Sequence, residues 1–459
     1  LKLKIEKLGR IQSAEIDVRP LTVLIGPNNT NKTWTAYALY GLLQGLSRTL
    51  TSARIDTSLG STKGATALSQ QLKELMKPLF EALTADPAPT RVEYSLAVSR
   101  LFTDPNQGYT YALDDESLRA ILGMPHGRFS NASARLELLR TEFVTSVVSF
   151  DLVLERALNR LQVKTNFRRN LEDGKTEESS TLAGYVDEAW TEQKIFAVVQ
   201  TQLWNLIEHV VVFPAERNGI LPVWPFIPTS NNLEVPLPFV DFGKFLGIAQ
   251  AAAPAISMNS SQAHLSALLR KVTGGEIAYV ADAGRKRLVF RTGGAEVPLQ
   301  AAASLSRAVA GLSIYIERFF RPDDVLIIDE LEMNAHPQAQ VTLTEFIAAL
   351  VNAGVRVVLT THSPYVVDHL NNLMEASRAP AEKREELARK FALGTPSSFI
   401  SPEKVAVHAF QEESPEGAVT VREVLNRQTG LIDWSTFSKV SEHITNLYSD
   451  ILRASEGDA

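Results

Sequence analysis

Apolar and polar residues alternate through the first two stretches of the chain, "LKLKIEKL" and "IQSAEIDV", and then give way to an apolar run, "LTVLIG". Alternation with period two predicts two strands exposed on one face, and the run predicts a strand covered on both. "WTAYALYGLLQGL" has helical spacing, so residues 1–47 read as strands, a glycine-led loop and a helix. From 48 to 205 the spacing becomes i, i+3, i+4 and i+7 in "SQQLKELMKPLFEALTA" and "ASARLELLRTEFVTSVVSFDLVLERALNRLQ". That pattern predicts a large, mostly helical insertion, broken by polar spacers such as "EDGKTEESS" and without a long heptad array.

Residues 206–400 return to the first style. "EHVVVFP" predicts a buried strand leading into "AERNG", and the proline-rich "LPVWPFIPTSNNLEVPLPF" predicts a loop. A helix is expected over 261–273 and a hairpin around Ala283-Gly284. "AAASLSRAVAGLSIYIERFF" reads as a small-residue turn opening a helix, "VLIIDE" as a buried strand ending in two carboxylates, and "VRVVLTTH" as a buried strand ending in histidine. Residues 401–459 predict a small C-terminal α/β extension with a strand, "KVAVHAF", a hairpin and an amphipathic helix. The fold class is α/β, a mixed sheet with flanking helices.

Composition narrows the function. With 45% hydrophobic and 21% charged residues, the 459-residue chain has the profile of a soluble globular protein with real cores. It has no cysteine, which excludes disulfides, thiol catalysis and cysteine-ligated zinc, and fits a cytoplasmic location. No apolar stretch approaches the roughly 18 residues of a membrane span, and "LKLKIEKLG" reads as a strand and not a signal peptide. The net charge of -6 excludes an overall basic field that would coat nucleic acid.

The candidate chemistry begins at "GPNNTNKT", Gly26 to Thr33, between the apolar run and the helix. A phosphate-binding loop follows G-x-x-x-x-G-K-[ST] in that context. Its backbone N–H groups, here from Asn28, Asn29, Thr30 and Asn31, curl round phosphates. Lys32 supplies a charge to them, and Thr33 offers a hydroxyl to magnesium. A plain turn-rich connection accounts for the same letters. Asn31 replaces the second glycine, and asparagine is the ordinary residue most tolerant of the left-handed backbone that glycine supplies there. Its side chain adds bulk beside the phosphates.

In "VLIIDE" the strand carries Asp329 and Glu330 to its carboxyl end, the edge at which nucleotides bind an open α/β sheet. Asp329 suits magnesium, and Glu330 suits the activation of water; solvated acids at a strand end are the plain alternative. His362 ends the next buried strand, where it can sense a terminal phosphate. Ser304 and Ser306 lie among small residues where a helix is expected to start, an anion seat or an ordinary cap.

In this order the pieces resemble an ABC-type P-loop ATPase head of the OLD-like and SMC/RecF-like group, AAA-annotated ATPases of bacterial defence systems. "VLIGPNNTNKT" resembles "LIGPNNSGKT", "IIDELEMNAHP" resembles "IIDEPEAHLHP", and "VVLTTHSPYVVD" is similar to the group's histidine-switch segment. "VVFPAER" resembles a strand these proteins carry after their insertion. The chain departs from the pattern at Asn31, at Leu331 in place of proline and at Asn334 in place of histidine, while His336 is kept. The signature segment lacks the serine–glycine pair, with Ser306 nearest the glycine position. No E…DxD cluster of a fused TOPRIM nuclease follows His362.

The resemblance implies ATP and Mg2+ as ligands and head-to-tail pairing of two copies, or a higher homo-oligomer. Each nucleotide would lie between Lys32 and Thr33 of one copy and the Ser304/Ser306 region of the other. It further implies an ATPase that senses a phage signal and controls a separate effector protein, a nuclease or toxin. Two alternatives stand: a repair or recombination ATPase holding DNA across paired heads, and a nucleotide-gated scaffold with little turnover. The insertion offers modest basic material, Lys164, Arg168, Arg169 and Lys175.

Overall fold

The computed structural model describes residues 1–51, 74–84, 91–96, 109–124, 131–138, 147–157, 160–170, 176–187, 210–223, 235–251, 258–282, 285–412, 417–433 and 435–456. The first strands are β1 (Lys2–Leu8), β2 (Ile11–Asp17) and β3 (Leu21–Ile25). β4 (Arg91–Leu96), β5 (Tyr109–Leu113), β6 (Ser133–Leu138), β7 (Val147–Ala157), β8 (Arg160–Asn170) and β9 (Thr176–Asp187) follow. Then come β10 (Val210–Phe213), β11 (Glu276–Asp282), β12 (Arg285–Thr292), β13 (Ala295–Pro298), β14 (Val325–Ile328), β15 (Arg356–Thr361), β16 (Val405–Glu412) and β17 (Val419–Glu423).

Ten of them form one mixed sheet in the order β10-β14-β15-β3-β16-β17-β2-β1-β6-β5. From β10 to β16 every neighbour is parallel, whereas β16–β17, β2–β1, β1–β6 and β6–β5 are antiparallel. This is the α/β class expected from the sequence, a mixed sheet with flanking helices.

The parallel half is apolar on both faces because helices cover both. Successive side chains point to opposite faces of a strand, so each strand divides between two cores. Leu326 and Ile328 of β14 join Val23, Val357 and Val407 in one core; Val325 and Ile327 join Leu24, Val358 and Ala36 in the other. The helix Lys32–Thr51, which leaves the Gly26–Thr33 loop, packs in the second core through Ala36, Tyr37 and Tyr40. The helix Pro337–Asn352 crosses between β14 and β15 in the first.

Two expectations change. The described part of the insertion contains helical residues 74–83, within the expected "SQQLKELMKPLFEALTA", and the helix Asp115–Leu122, but most of it is strand, not helix. β7, β8 and β9 pair antiparallel with β4 in a four-stranded sheet, and β5 and β6 extend the main sheet beyond β1. The segment holds both periods at once. Ala132, Ala134 and Leu136 are buried while Ser133 and Arg135 are not, a period-two pattern that sheet pairing selects over the i, i+3 matches. The second change concerns residues 401–459. β16 is no appendage: it lies between β3 and β17 inside the main sheet, buried from Val405 to Phe410. The hairpin strands β11 and β12 pair as expected, with Asp282 opposite Arg285; Ala283 and Gly284 lie outside the described residues.

Burial on both faces makes the parallel strands intolerant of truncation. Ile327→Ala, which opens a void between β14 and the helix Lys32–Thr51, is expected to lower the unfolding free energy by about 2–5 kcal/mol. Urea denaturation measures it, and an unchanged midpoint would contradict the packing described.

Candidate functional site

β14, β15 and β3 are adjacent and parallel, so the residues that follow them meet at one edge of the sheet. There Asn28, Asn29, Thr30, Asn31, Lys32, Thr33, Trp34, Glu330 and His362 line an open cleft of about 640 Å³, with Gly9 and Arg10 of the β1–β2 turn. Residues separated by about 300 positions in the chain are brought together by strand order alone.

The loop has the backbone its glycines and asparagines suggest. Gly26 has φ +147, and a Cβ there would meet the Phe410 carbonyl oxygen at 2.4 Å, so only glycine leaves β3 this way. Asn29 and Asn31 have φ +63 and +66, the left-handed region expected at Asn31. The Asn31 side chain turns back from the loop: its Oδ1 accepts the Arg10 N–H at 2.9 Å. Gly9 makes room for it, since a Cβ at Gly9 would meet Asn31 Nδ2 at 2.6 Å. The bulk expected beside the phosphates is thus partly taken up by the β1–β2 turn.

Lys32 is buried, with Nζ donating to the Pro27 carbonyl at 2.6 Å and to Thr30 Oγ1 at 3.3 Å. Burial pushes its ammonium down from 10.5 to about 8, against the pull of Asp329, Glu330 and Glu332. Asp329 is buried among hydroxyls: its Oδ1 accepts from Thr33 at 3.0 Å and Thr360 at 2.6 Å, and its Oδ2 accepts from Tyr37 at 3.2 Å. Burial raises its carboxyl while these hydrogen bonds and Arg217 lower it.

Glu330 is half-buried and aims into the cleft. Burial raises its carboxyl, and the like charges of Asp329, Glu332 and Glu216 add to that, opposed by Lys32. A carboxylate made more basic in this way is suited to accept a proton. His362 Nε2 stands 3.9 Å from Glu330 Oε1. Burial, then Lys32, push the imidazole down to about 4, against a hydrogen bond to the Gly26 backbone. It is therefore neutral at neutral pH, a polar contact and not a cation.

An oxygen-only set of one hydroxyl and one carboxylate, Thr33 with Asp329, fits magnesium, which is commonly held by one or two carboxylates plus substrate phosphates. Ser304 and Ser306 do not line this cleft. Ser304 opens the short helix Ser304–Ala308 and is exposed, Ser306 is buried, and neither caps it.

Several residues in the site escaped the sequence reading. Tyr37 follows Thr33 by four positions on one helix, spacing that places both on one face. Thr360 lies two residues before His362, and its Oγ1 also accepts the Glu330 N–H at 2.8 Å. Glu332 binds the histidine segment, accepting from Thr361 Oγ1 at 2.8 Å and from the His362 N–H. Arg217, in the "PAER" stretch, hydrogen-bonds the carbonyls of both Asp329 and Glu330. The acid in "DELE" and the paired threonines were visible signals; Arg217 was not one.

Residues 248–367 match the family model of the AAA ATPase domain. That span holds the signature-like helix, the carboxylate pair and His362, and stops short of the phosphate loop in sequence. No curated protein matches the chain. Among solved structures, the SMC head domain from Thermotoga maritima is 9% identical with a TM-score of 0.31, covering 92% of this chain and 98% of that one. An SMC head bound to the C-terminal winged-helix domain of ScpA is 10% identical with a TM-score of 0.35, covering 93% and 98%. An SMC head with an extended coiled coil, bound to the C-terminal domain of ScpA derived from Pyrococcus furiosus, is 9% identical with a TM-score of 0.35, covering 97% and 98%. Likeness this loose decides nothing about the site.

The state of Lys32 gives a pH test. Its folded value, about 8, lies below the ordinary 10.5, so between these values the unfolded chain binds more protons. The Lys32 contribution to stability is therefore least favourable below pH 8 and improves as pH rises through that window. Lys32→Met is expected to gain stability relative to wild type at pH 7 and to lose that advantage by about pH 10.5. Thermal melts across pH measure the difference; an advantage that grows with pH would contradict the buried ammonium.

Proposed function

We propose that the protein is a Mg-dependent ATPase of ABC type. The observation that carries this reading is the single cleft shared by Lys32, Thr33, Glu330 and His362, with Asp329 beneath it. Gly26 and the N–H groups of residues 28–31 receive the phosphates, and Lys32 holds their charge. Thr33 and Asp329 are the groups that would hold magnesium, which would supply positive charge to the phosphate oxygens. Glu330 takes the proton of the attacking water, helped by its raised carboxyl. His362, neutral beside it, contacts the terminal phosphate by hydrogen bonding.

In the same reading the protein works as a homo-oligomer, with the exposed Ser304 segment of one copy facing the nucleotide of another. Its output is control of a separate effector, a nuclease or toxin, in anti-phage defence. The resemblance to the OLD-like group supports that role. The alternative of holding duplex DNA needs free basic side chains. Lys164 is engaged by Glu155 at 3.1 Å. Lys175 lies outside the described residues. The Lys164–Glu155 ion pair favours the effector reading.

Steady-state ATP hydrolysis by wild type, Lys32→Ala and Glu330→Gln tests the proposal. Glu330→Gln is expected to lower kcat by about 10²–10⁴-fold with ATP still bound, and Lys32→Ala to weaken binding. Unchanged activity in both variants would overturn the assignment.

A further inference from the structure

The carboxylate at the centre of the proposed reaction sits on unusual backbone. Glu330 has φ +49, in the left-handed region that a residue with a Cβ rarely adopts. Three hydrogen bonds meet its backbone, one of them from the Met333 N–H to its carbonyl at 3.1 Å within the following turn; the other two come from distant parts of the chain. Its N–H donates to Thr360 Oγ1 at 2.8 Å, and its carbonyl accepts from Arg217 Nη2 at 3.2 Å.

Arg217 is buried, and its other bonds also end on backbone carbonyls. Nη1 donates to Pro214 at 3.0 Å and to Asp329 at 2.9 Å, and Nε donates to Ala308 at 2.9 Å. One guanidinium therefore fastens together the segment after β10, the end of β14 and the helix Ser304–Ala308. Its donors form a rigid planar fork, which fixes the relative positions of the carbonyls it binds. Lysine has three donors on one atom and cannot span the same four oxygens. Arg217 does not line the cleft, so it is not placed to touch substrate. The charges of Asp329, Glu332 and Glu330 offset the cost of burying it.

We propose that Arg217 is a positioning residue for Glu330, holding the base in its left-handed geometry and tying that geometry to the Ser304–Ala308 helix. The inference rests on the ATPase reading and deepens it by naming what aims the base. A guanidinium that merely supports the fold would, when altered, lower stability, nucleotide affinity and turnover together. A positioning one lowers kcat and spares affinity.

The test uses the full chain with Arg217→Lys and Arg217→Gln, alone and combined with Glu330→Gln. Thermal midpoint, magnesium-dependent binding of a fluorescent ATP analogue and steady-state kcat are read for each. Both single variants are expected to bind the analogue within about threefold of wild type while kcat falls by about 30-fold or more. In the Glu330→Gln background the further loss is expected to be under about twofold, because the base through which Arg217 acts is already gone. A kcat within threefold of wild type would overturn the proposal. So would a loss that multiplies in full with Glu330→Gln, or parallel loss of affinity and folding in both variants. A wild-type protein that neither binds nor hydrolyses ATP would instead overturn the functional reading, and this inference with it.

Discussion

β14, β15 and β3 run parallel and side by side, so whatever follows each of them in the chain is delivered to the same edge of the sheet. Everything proposed for the site depends on that hydrogen-bonded register. It sets Thr33 within 3.0 Å of Asp329 and His362 within 3.9 Å of Glu330, although both Thr33 and His362 lie far from the carboxylate pair in sequence. Parallel strands need crossovers, and crossovers put helices on both faces, which is why these strands are apolar throughout. The cores on the two faces and the cleft at the edge are consequences of one arrangement.

Within the cleft the balance is electrostatic. Asp329 is buried and held by three hydroxyls, Glu330 is held more loosely, and Lys32 faces both. The environment pushes the acids up and the lysine and histidine down, which is the effect of burial on charge. Polyphosphate and magnesium together would bring both signs of charge to such a site, phosphate beside the lysine and the cation beside the acids. Arg217 belongs to the same balance. Its buried charge stabilises the acids from behind while its fork sets their backbone.

Much of this was legible in the sequence where the signal is local. The left-handed backbone at Asn31 followed from asparagine in a glycine position, and the burial of "VLIIDE" and "VVLTTH" from uninterrupted apolar runs. What was not legible depends on partners far along the chain. Between residues 91 and 187 helical and strand spacings coexist, and cross-strand pairing decides in favour of strands. β16 looked like an appendage because nothing local says that it slots beside β3. The turn of the Asn31 side chain toward Arg10 and the fork of Arg217 are likewise long-range facts.

The central claim is that this edge of the sheet is a magnesium-dependent triphosphate site. Calorimetric titration of the protein with a non-hydrolysable ATP analogue, with and without magnesium, tests it most directly. The account predicts saturable binding, one nucleotide per chain, that strengthens with magnesium and weakens in Thr33→Ala. Binding that is absent, or indifferent to both the metal and Thr33, would contradict it.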